Sequence, residues 1–129
     1  MHAKVRSGAR LHEASVRTGA VAQGLAIAAK AGGQGSAVSG GELLMLALAT
    51  CYCNDLYREA ARLGIVLTHV EVEARAEFPG IGLAARDITY SAHVESPADP
   101  RDVQRLIAET DAVAEIHNTV RAGVPVLLD

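Results

Sequence analysis

A chain of 129 residues with 12 Lys and Arg against 15 Asp and Glu suits one domain, and its net charge of −3 offers no basic field to a phosphate backbone, so nucleic acid is set aside as a partner. Half the residues are apolar, yet only 3% are aromatic and none is Trp, which predicts an interior of Ala, Leu, Val and Ile. Two cysteines are too few for a disulfide framework and fit a reducing compartment. The opening "MHAKVRSGARLHEAS" is polar and mixed, without a signal-peptide pattern. The longest uncharged apolar run, Leu43 to Cys53, is too short to span a bilayer. The expectation is a soluble cytoplasmic protein with no membrane partner.

Over the first forty or so residues, β-branched and apolar positions (Val5, Leu11, Val16, Val21, Leu25, Ile27) broken by Gly8, Gly19 and Gly24 predict two or three short strands. "AGGQGSAVSGG", residues 31–41, reads as a connector; it has neither GxGxxG spacing nor a following Gly-Lys-Ser/Thr, so a plain loop is favoured over a phosphate cradle. From Glu42 to Leu63 there is neither Gly nor Pro and strong helix formers dominate, which predicts one long helix stopped by Gly64. "VLTHVEVEARAEF", residues 66–78, then alternates. Val66, Thr68, Val70, Val72, Ala74, Ala76 and Phe78 share the inward face, and His69, Glu71, Glu73, Arg75 and Glu77 the outward one. After a turn at Pro79-Gly80, "RDITYSAHVES" places Ile88, Tyr90, Ala92 and Val94 inward, so the two strands are expected to form an antiparallel hairpin. Asp99-Pro100 supplies a helix N-cap and first-turn proline ahead of the stripe Val103, Leu106 and Ile107. A second helical piece over residues 111–121 and a closing strand in "VPVLL" complete a single α+β domain spanning 1–129.

The long helix carries "LALATCYCNDLYREAARLG", residues 46–64, whose two cysteines are spaced for neither a CxxC redox motif nor a zinc ligand pair. At about 100° per residue, Leu44, Leu48, Cys51, Asp55, Arg58 and Arg62 fall on one stripe. Cys53 lies about 160° away, grouped with Leu46, Ala49, Leu56, Tyr57 and Ala60. A disulfide between the two would require unwinding the helix. Cys51 sits where its stripe turns from apolar to charged and is the candidate reactive thiol; Cys53 reads as a small core residue. Asp55, one turn on, disfavours a thiolate, so activation of Cys51 needs a cation from elsewhere. His69 and His93 occupy outer strand faces, His2 and His12 lie near the start, and His117 has no partner at i+3 or i+4. They propose no metal site. No Gly-x-Ser-x-Gly elbow occurs.

"SGGELLMLALATCYCNDL", "GIVLTHVEVEARAEF", "ITYSAHVESP" and "IHNTVRAGVPVLL" together resemble the OsmC/Ohr superfamily of osmotically inducible and organic-hydroperoxide-resistance proteins, over nearly the whole chain from about residue 8. The resemblance implies an α+β, OsmC-like fold with antiparallel sheets around a long central helix. It also implies an intertwined homodimer with active sites at the shared interface. There, a thiolate on the long helix attacks a peroxide, and a second Cys on the later helix resolves the sulfenic acid. Position by position, Cys51 matches the peroxide-attacking Cys. Arg10, in "GAR", best matches the arginine that stabilises the thiolate, and Arg17 is the second candidate for that role. The chain departs from the family pattern twice. The Pro-Glu before the helix reads Gly40-Gly41, leaving only Glu42 one place on, and the resolving Cys is Ala114 in "AEIHNT".

A thiolate without an internal partner can still become a sulfenic acid, but an external thiol must reduce it. Three functions stay open. The first is a single-Cys organic hydroperoxide reductase acting through Cys51 and recycled by an external thiol reductant. The second is a non-catalytic protein that binds a small apolar ligand in the same dimer-interface pocket. The third is a metabolic enzyme with unrelated chemistry at that place. None of the residues asks for a cofactor or a metal.

Overall fold

The short strands that the scattered apolar positions predict are three, β1 (His2–Gly8), β2 (Leu11–Thr18) and β3 (Val21–Leu25), and they pair antiparallel in the order β1-β2-β3. Gly19 opens the tight β2–β3 turn at φ 57°, a conformation that side chains resist. The computed structural model describes residues 1–9 and 11–128 and divides the chain into two compact units, Met1–Leu43 and Leu44–Asp129. In the first unit all of β1 and β3 is exposed, and Ala14 is the one buried residue among those described. The connector after β3 closes on itself through a bridge between Ala29 and Ser36, and the Gly35 N–H donates to Ser7 Oγ at 3.0 Å.

The long helix α1 (Gly40–Leu63) begins two residues before Glu42 because Ser39 caps it. The Glu42 N–H donates to Ser39 Oγ at 3.1 Å while the Glu42 carboxylate accepts from the Ser39 N–H at 2.7 Å, a reciprocal capping box. Those bonds hold the Glu42 carboxyl below the usual carboxylate range and commit it to the helix entry. At the other end Gly64, at φ 69°, terminates α1 as expected. The Ile65 N–H reaches back to the Ala60 carbonyl and the Gly64 N–H to that of Ala61, the Schellman pattern.

In the second unit β4 (His69–Glu77) and β5 (Arg86–Glu95) form the expected hairpin, in register from His69 opposite Glu95 to Arg75 opposite Thr89. The ladder then shifts between Arg75 and Glu77, and Asp87, at φ 52°, takes up the irregularity on β5. The alternation holds within both strands but not at the margins of the first. Val66 is 64% exposed and Phe78 50%, and Thr68 is exposed too, so none of the three faces inward. The Schellman turn sets the phase ahead of β4: Leu63, Ile65 and Leu67 pack on the core instead. Phe78 lies past the last ladder residue, directly before Pro79, where nothing holds it to the sheet face.

Asp99 caps α2 (Pro100–Val113), accepting the Arg101 N–H at 2.8 Å, with Pro100 in the first turn. The helix expected over 111–121 is divided. α2 runs on to Val113, Ala114 is extended at ψ 101°, and α3 (Glu115–Ala122) ends on Gly123 at φ 60°. "VPVLL", residues 124–128, forms no strand. Val126, Leu127 and Leu128 are fully or almost fully exposed, because an alternating run becomes a strand only where it finds a ladder partner. Among the described residues no helix is long and apolar enough to cross a membrane.

Tyr52, Leu56, Ala60, Leu106 and Ala114 form the buried centre of this unit. The interior is therefore not purely aliphatic. Tyr52 is its largest side chain, edge-on to Tyr90 at 4.8 Å between ring centres, and its hydroxyl donates to the Ile107 carbonyl at 2.7 Å. A buried tyrosine needs such a partner for its hydroxyl. The two contacts tie α1 to β5 and α2.

Candidate functional site

Helical phase places Cys51, Asp55, Arg58 and Arg62 along one side of α1, and the end of α2 delivers a second set of groups to that side. The half-buried Cys51 thiol donates to Asp55 Oδ2 at 3.3 Å and reaches Glu115 Oε2 at 4.0 Å. The Ile116 N–H, in the first turn of α3, donates to the same sulfur. Asp55 is 4% exposed, and Arg58 Nη1 meets its Oδ1 at 2.8 Å. The same guanidinium pairs with Glu115 at 3.4 Å and with Glu59 at 3.2 Å. Arg62 continues the chain of charges, bridging Glu59 and Glu109 at 2.6 Å each, and Arg105 meets Glu109 at 3.0 Å.

Burial pushes the Cys51 thiol above its ordinary range. The Ile116 N–H opposes that rise, while the hydrogen bond to Asp55 and the charges of Asp55 and Glu115 add to it. Within this chain the thiol keeps its proton at neutral pH. Cys51 Sγ and one oxygen each of Asp55 and Glu115 lie within 4.8 Å of one another, a spacing that a cation can bridge. Arg58 already stands between the two carboxylates as that positive charge.

Arg17 stands exposed on β2, where Nη1 donates to the Gly19 carbonyl at 3.3 Å, and Arg10 lies outside the described residues. The guanidinium gathered with Asp55 and Glu115 is that of Arg58, which the helical stripe already aligned with Cys51. Glu115 and Ile116 carry no local signal of a role. Their position does: Ala114, standing where the resemblance puts a second Cys, is fully buried and directly precedes both.

Cys53 is not a core residue. It is half-exposed and lines an open, largely apolar groove with Leu46, Ala49, Thr50, Asn54 and Val72. The buried stripe of α1 is Leu48, Tyr52, Asp55, Leu56, Glu59 and Ala60, and Cys53 lies beside that stripe. Both thiols are free, as their angular separation requires.

Next to Tyr52 lies His117, 4% exposed, its ring 5.5 Å from that of Tyr52 and 4.4 Å from that of Tyr90. Both ring nitrogens are buried without a hydrogen-bond partner. Tyr90 donates to Asp111, which also accepts from Arg121 at 2.5 Å. Burial, helped by Arg121 and opposed by Asp111 and Asp55, holds His117 below its ordinary 6.5. As pH falls through about 6.5 the unfolded chain takes this proton before the folded one. The stability held by neutral His117 is thus complete above that value and declines below it, until the folded ring itself titrates. His117→Phe, which keeps a ring in place, is expected to lose less stability than the wild type between about pH 7 and about pH 5. Urea denaturation at the two pH values measures the difference.

A sequence model of the OsmC-like protein family matches residues 33–129. Among solved structures, the chain is similar to an OsmC-like protein from Mycoplasma pneumoniae, with a TM-score of 0.65 at 15% identity over 94% of this chain and 88% of that one. It is similar to an organic hydroperoxide resistance protein OsmC from Legionella pneumophila, with a TM-score of 0.60 at 18% identity over 94% and 90%. An OsmC-like hydroperoxide resistance protein from Jannaschia follows at 0.57 and 17% over 91% and 80%. At these identities the likeness is one of fold: α+β, with antiparallel sheets and a long helix. No curated protein matches the sequence.

Proposed function

Since the chain belongs to the OsmC-like protein family, we propose that it is an organic hydroperoxide reductase working through a single thiol, Cys51. The observation that carries this reading is the setting of that thiol. It is half-buried, with a hydrogen-bond acceptor in Asp55 and a donor in the first-turn N–H of Ile116. The Legionella and Jannaschia proteins of similar fold are hydroperoxide resistance proteins. With Ala114 where a resolving thiol would stand, the sulfenic acid is returned to the thiol by an external dithiol or cellular thiol in a reducing cytoplasm. Arg10, or else Arg17, is the arginine assigned to stabilise the charge that develops on sulfur.

Residues 1–129 act in this reading as one domain completed by a second copy. Two features support a homodimer: the strands of Met1–Leu43 bury a single side chain, and Val126, Leu127 and Leu128 are exposed at the other end. A second reading, a protein that binds a small apolar ligand without chemistry, is favoured by the protonated state of Cys51 and by the apolar groove beside Cys53. The deciding experiment is steady-state reduction of cumene hydroperoxide with dihydrolipoamide or dithiothreitol as reductant. Turnover above the rate of the reductant alone is expected. Its absence, with saturable binding of an apolar probe, selects the ligand-binding reading. Sedimentation at micromolar concentration is expected to give a dimer, and a stable folded monomer removes that part of the proposal.

A further inference from the structure

We propose that the outer face of the β4–β5 hairpin binds a first-row divalent cation of the zinc type between His69, Glu71, His93 and Glu95. The inference goes beyond the thiol site and does not depend on it. Spacing along the chain hides such a site, because the two histidines lie more than twenty positions apart and neither has a ligand partner at helical spacing. The hairpin register removes that separation. His69 stands opposite Glu95 and Glu71 opposite His93, so each histidine faces a glutamate across the ladder and has another two places along its own strand. All four side chains are exposed and share one face.

The backbone fixes this block independently of any ion. It lies where the ladder runs without a shift, and Val70, Val72, Ala92 and Val94, which point the other way, pack on the core. A slip of one residue would turn those valines and the alanine to solvent, so the register is set from behind. Directly opposite Cβ atoms in such a ladder are about 5 Å apart, and same-face neighbours along a strand about 7 Å. The middle of that rectangle is about 4 Å from each corner, within the reach of an imidazole or a glutamate. His93 Nε2 and Glu95 Oε1 already approach to 3.6 Å, close to the ~3.3 Å between two ligand atoms of a tetrahedral zinc. His69 and Glu71 complete the set by changing rotamer, which exposed side chains do freely.

Donor chemistry selects the ion. Two imidazoles favour zinc and its first-row neighbours, whereas calcium asks for roughly six to eight oxygens. The two carboxylates balance the charge of the cation. The next basic residue along the face, Arg75, donates to Thr89 Oγ1 at 3.0 Å instead of to the block. His69 opens β4 and Glu95 closes β5, so a bound ion ties the hairpin together at its open end.

The opposing reading makes the block a set of ordinary cross-strand polar contacts and sends any cation to Cys51, Asp55 and Glu115. Calorimetric titration of the reduced protein with zinc chloride separates the two. One zinc per chain is expected to remain bound in Cys51→Ser and to be displaced by neither calcium nor magnesium. In the same background, His69→Ala and His93→Ala should each weaken that binding by more than the roughly tenfold that an outer-shell contact is worth. Affinity unchanged by both histidine substitutions, or no saturable site left in Cys51→Ser, overturns the proposal. An NMR titration of the wild type covers variants that do not fold. The imidazole C–H resonances of His69 and His93 should shift together and saturate as zinc is added. If they stay in place while the protein takes up zinc elsewhere, or takes up none, the hairpin is no metal site.

Discussion

Cys51→Ser is expected to leave a folded protein that reduces no hydroperoxide above background. Serine keeps the shape and a hydrogen bond to Asp55, but its oxygen cannot be oxidised to the counterpart of a sulfenic acid, and its hydroxyl is far less acidic than a thiol. The loss should be complete rather than graded, because no other thiol is placed to substitute. Cys53, at a separation of about 160° around α1, lines a different groove. For the same reason, stoichiometric peroxide should give the wild type a sulfenic or overoxidised Cys51 and no intrachain disulfide, which intact mass and thiol trapping will read. The complementary substitution is Ala114→Cys. Position 114 directly precedes the two residues that touch the Cys51 sulfur, so the new thiol is expected to form a peroxide-inducible disulfide with Cys51. Residual hydroperoxide reduction in Cys51→Ser would move the chemistry away from this helix altogether.

The largest expected effect on stability is that of Leu106→Ala. Leu106 is 0% exposed and packs in the centre of the second unit with Tyr52, Leu56, Ala60 and Ala114. Removing its branched end forfeits transfer free energy and leaves a cavity among residues already held by the Tyr52–Ile107 and Thr110–Leu106 hydrogen bonds, so the site cannot easily collapse. A cost of about 2–5 kcal/mol follows, a large fraction of the stability of a small domain. Cys53→Ala, at a half-exposed position, should cost well under that, about 1 kcal/mol or less. The midpoints of urea denaturation rank the two. If Cys53→Ala proves as damaging as Leu106→Ala, Cys53 is covered in solution by something beyond this chain.

What the sequence made legible was what local chemistry decides. The run from Glu42 to the Gly64 stop and the alternation of β4 and β5 needed no knowledge of the rest of the chain. Phase was harder. Val66 carries the right period but the wrong face, because the backbone turn at Gly64, not the strand, sets where the alternation begins. "VPVLL" has strand composition, yet pairing is non-local and composition names no partner. The α2–α3 break at Ala114 leaves no Gly or Pro in the sequence to announce it.

The site divides in the same way. Cys51, Asp55, Arg58 and Arg62 could be placed on one stripe because a helix relates them by a fixed angle. Glu115 and the Ile116 N–H come from more than sixty residues away, and only the folded chain brings them to the sulfur. Cys53 shows the limit of helical phase: it tells which residues share a side, not which side is covered. His117 shows another. Its lack of sequence neighbours at ligand spacing was visible, whereas its burial between two tyrosine rings was not.

The bare strands at the start of the chain have a thermodynamic consequence. Among the described residues of Met1–Leu43 one alanine is buried, so this stretch gains almost nothing from its own apolar surface, and a molecule lying over it would add to the stability of its order. Stability obtained in that way obeys mass action. It rises with the logarithm of the concentration of the covering molecule and drains away on dilution, whereas the unit built around Tyr52 and Leu106 carries its own core at any concentration. If a second copy covers the first stretch as proposed, the two stretches of one polypeptide should melt as functions of different variables, the second of temperature and solvent alone, the first also of protein concentration.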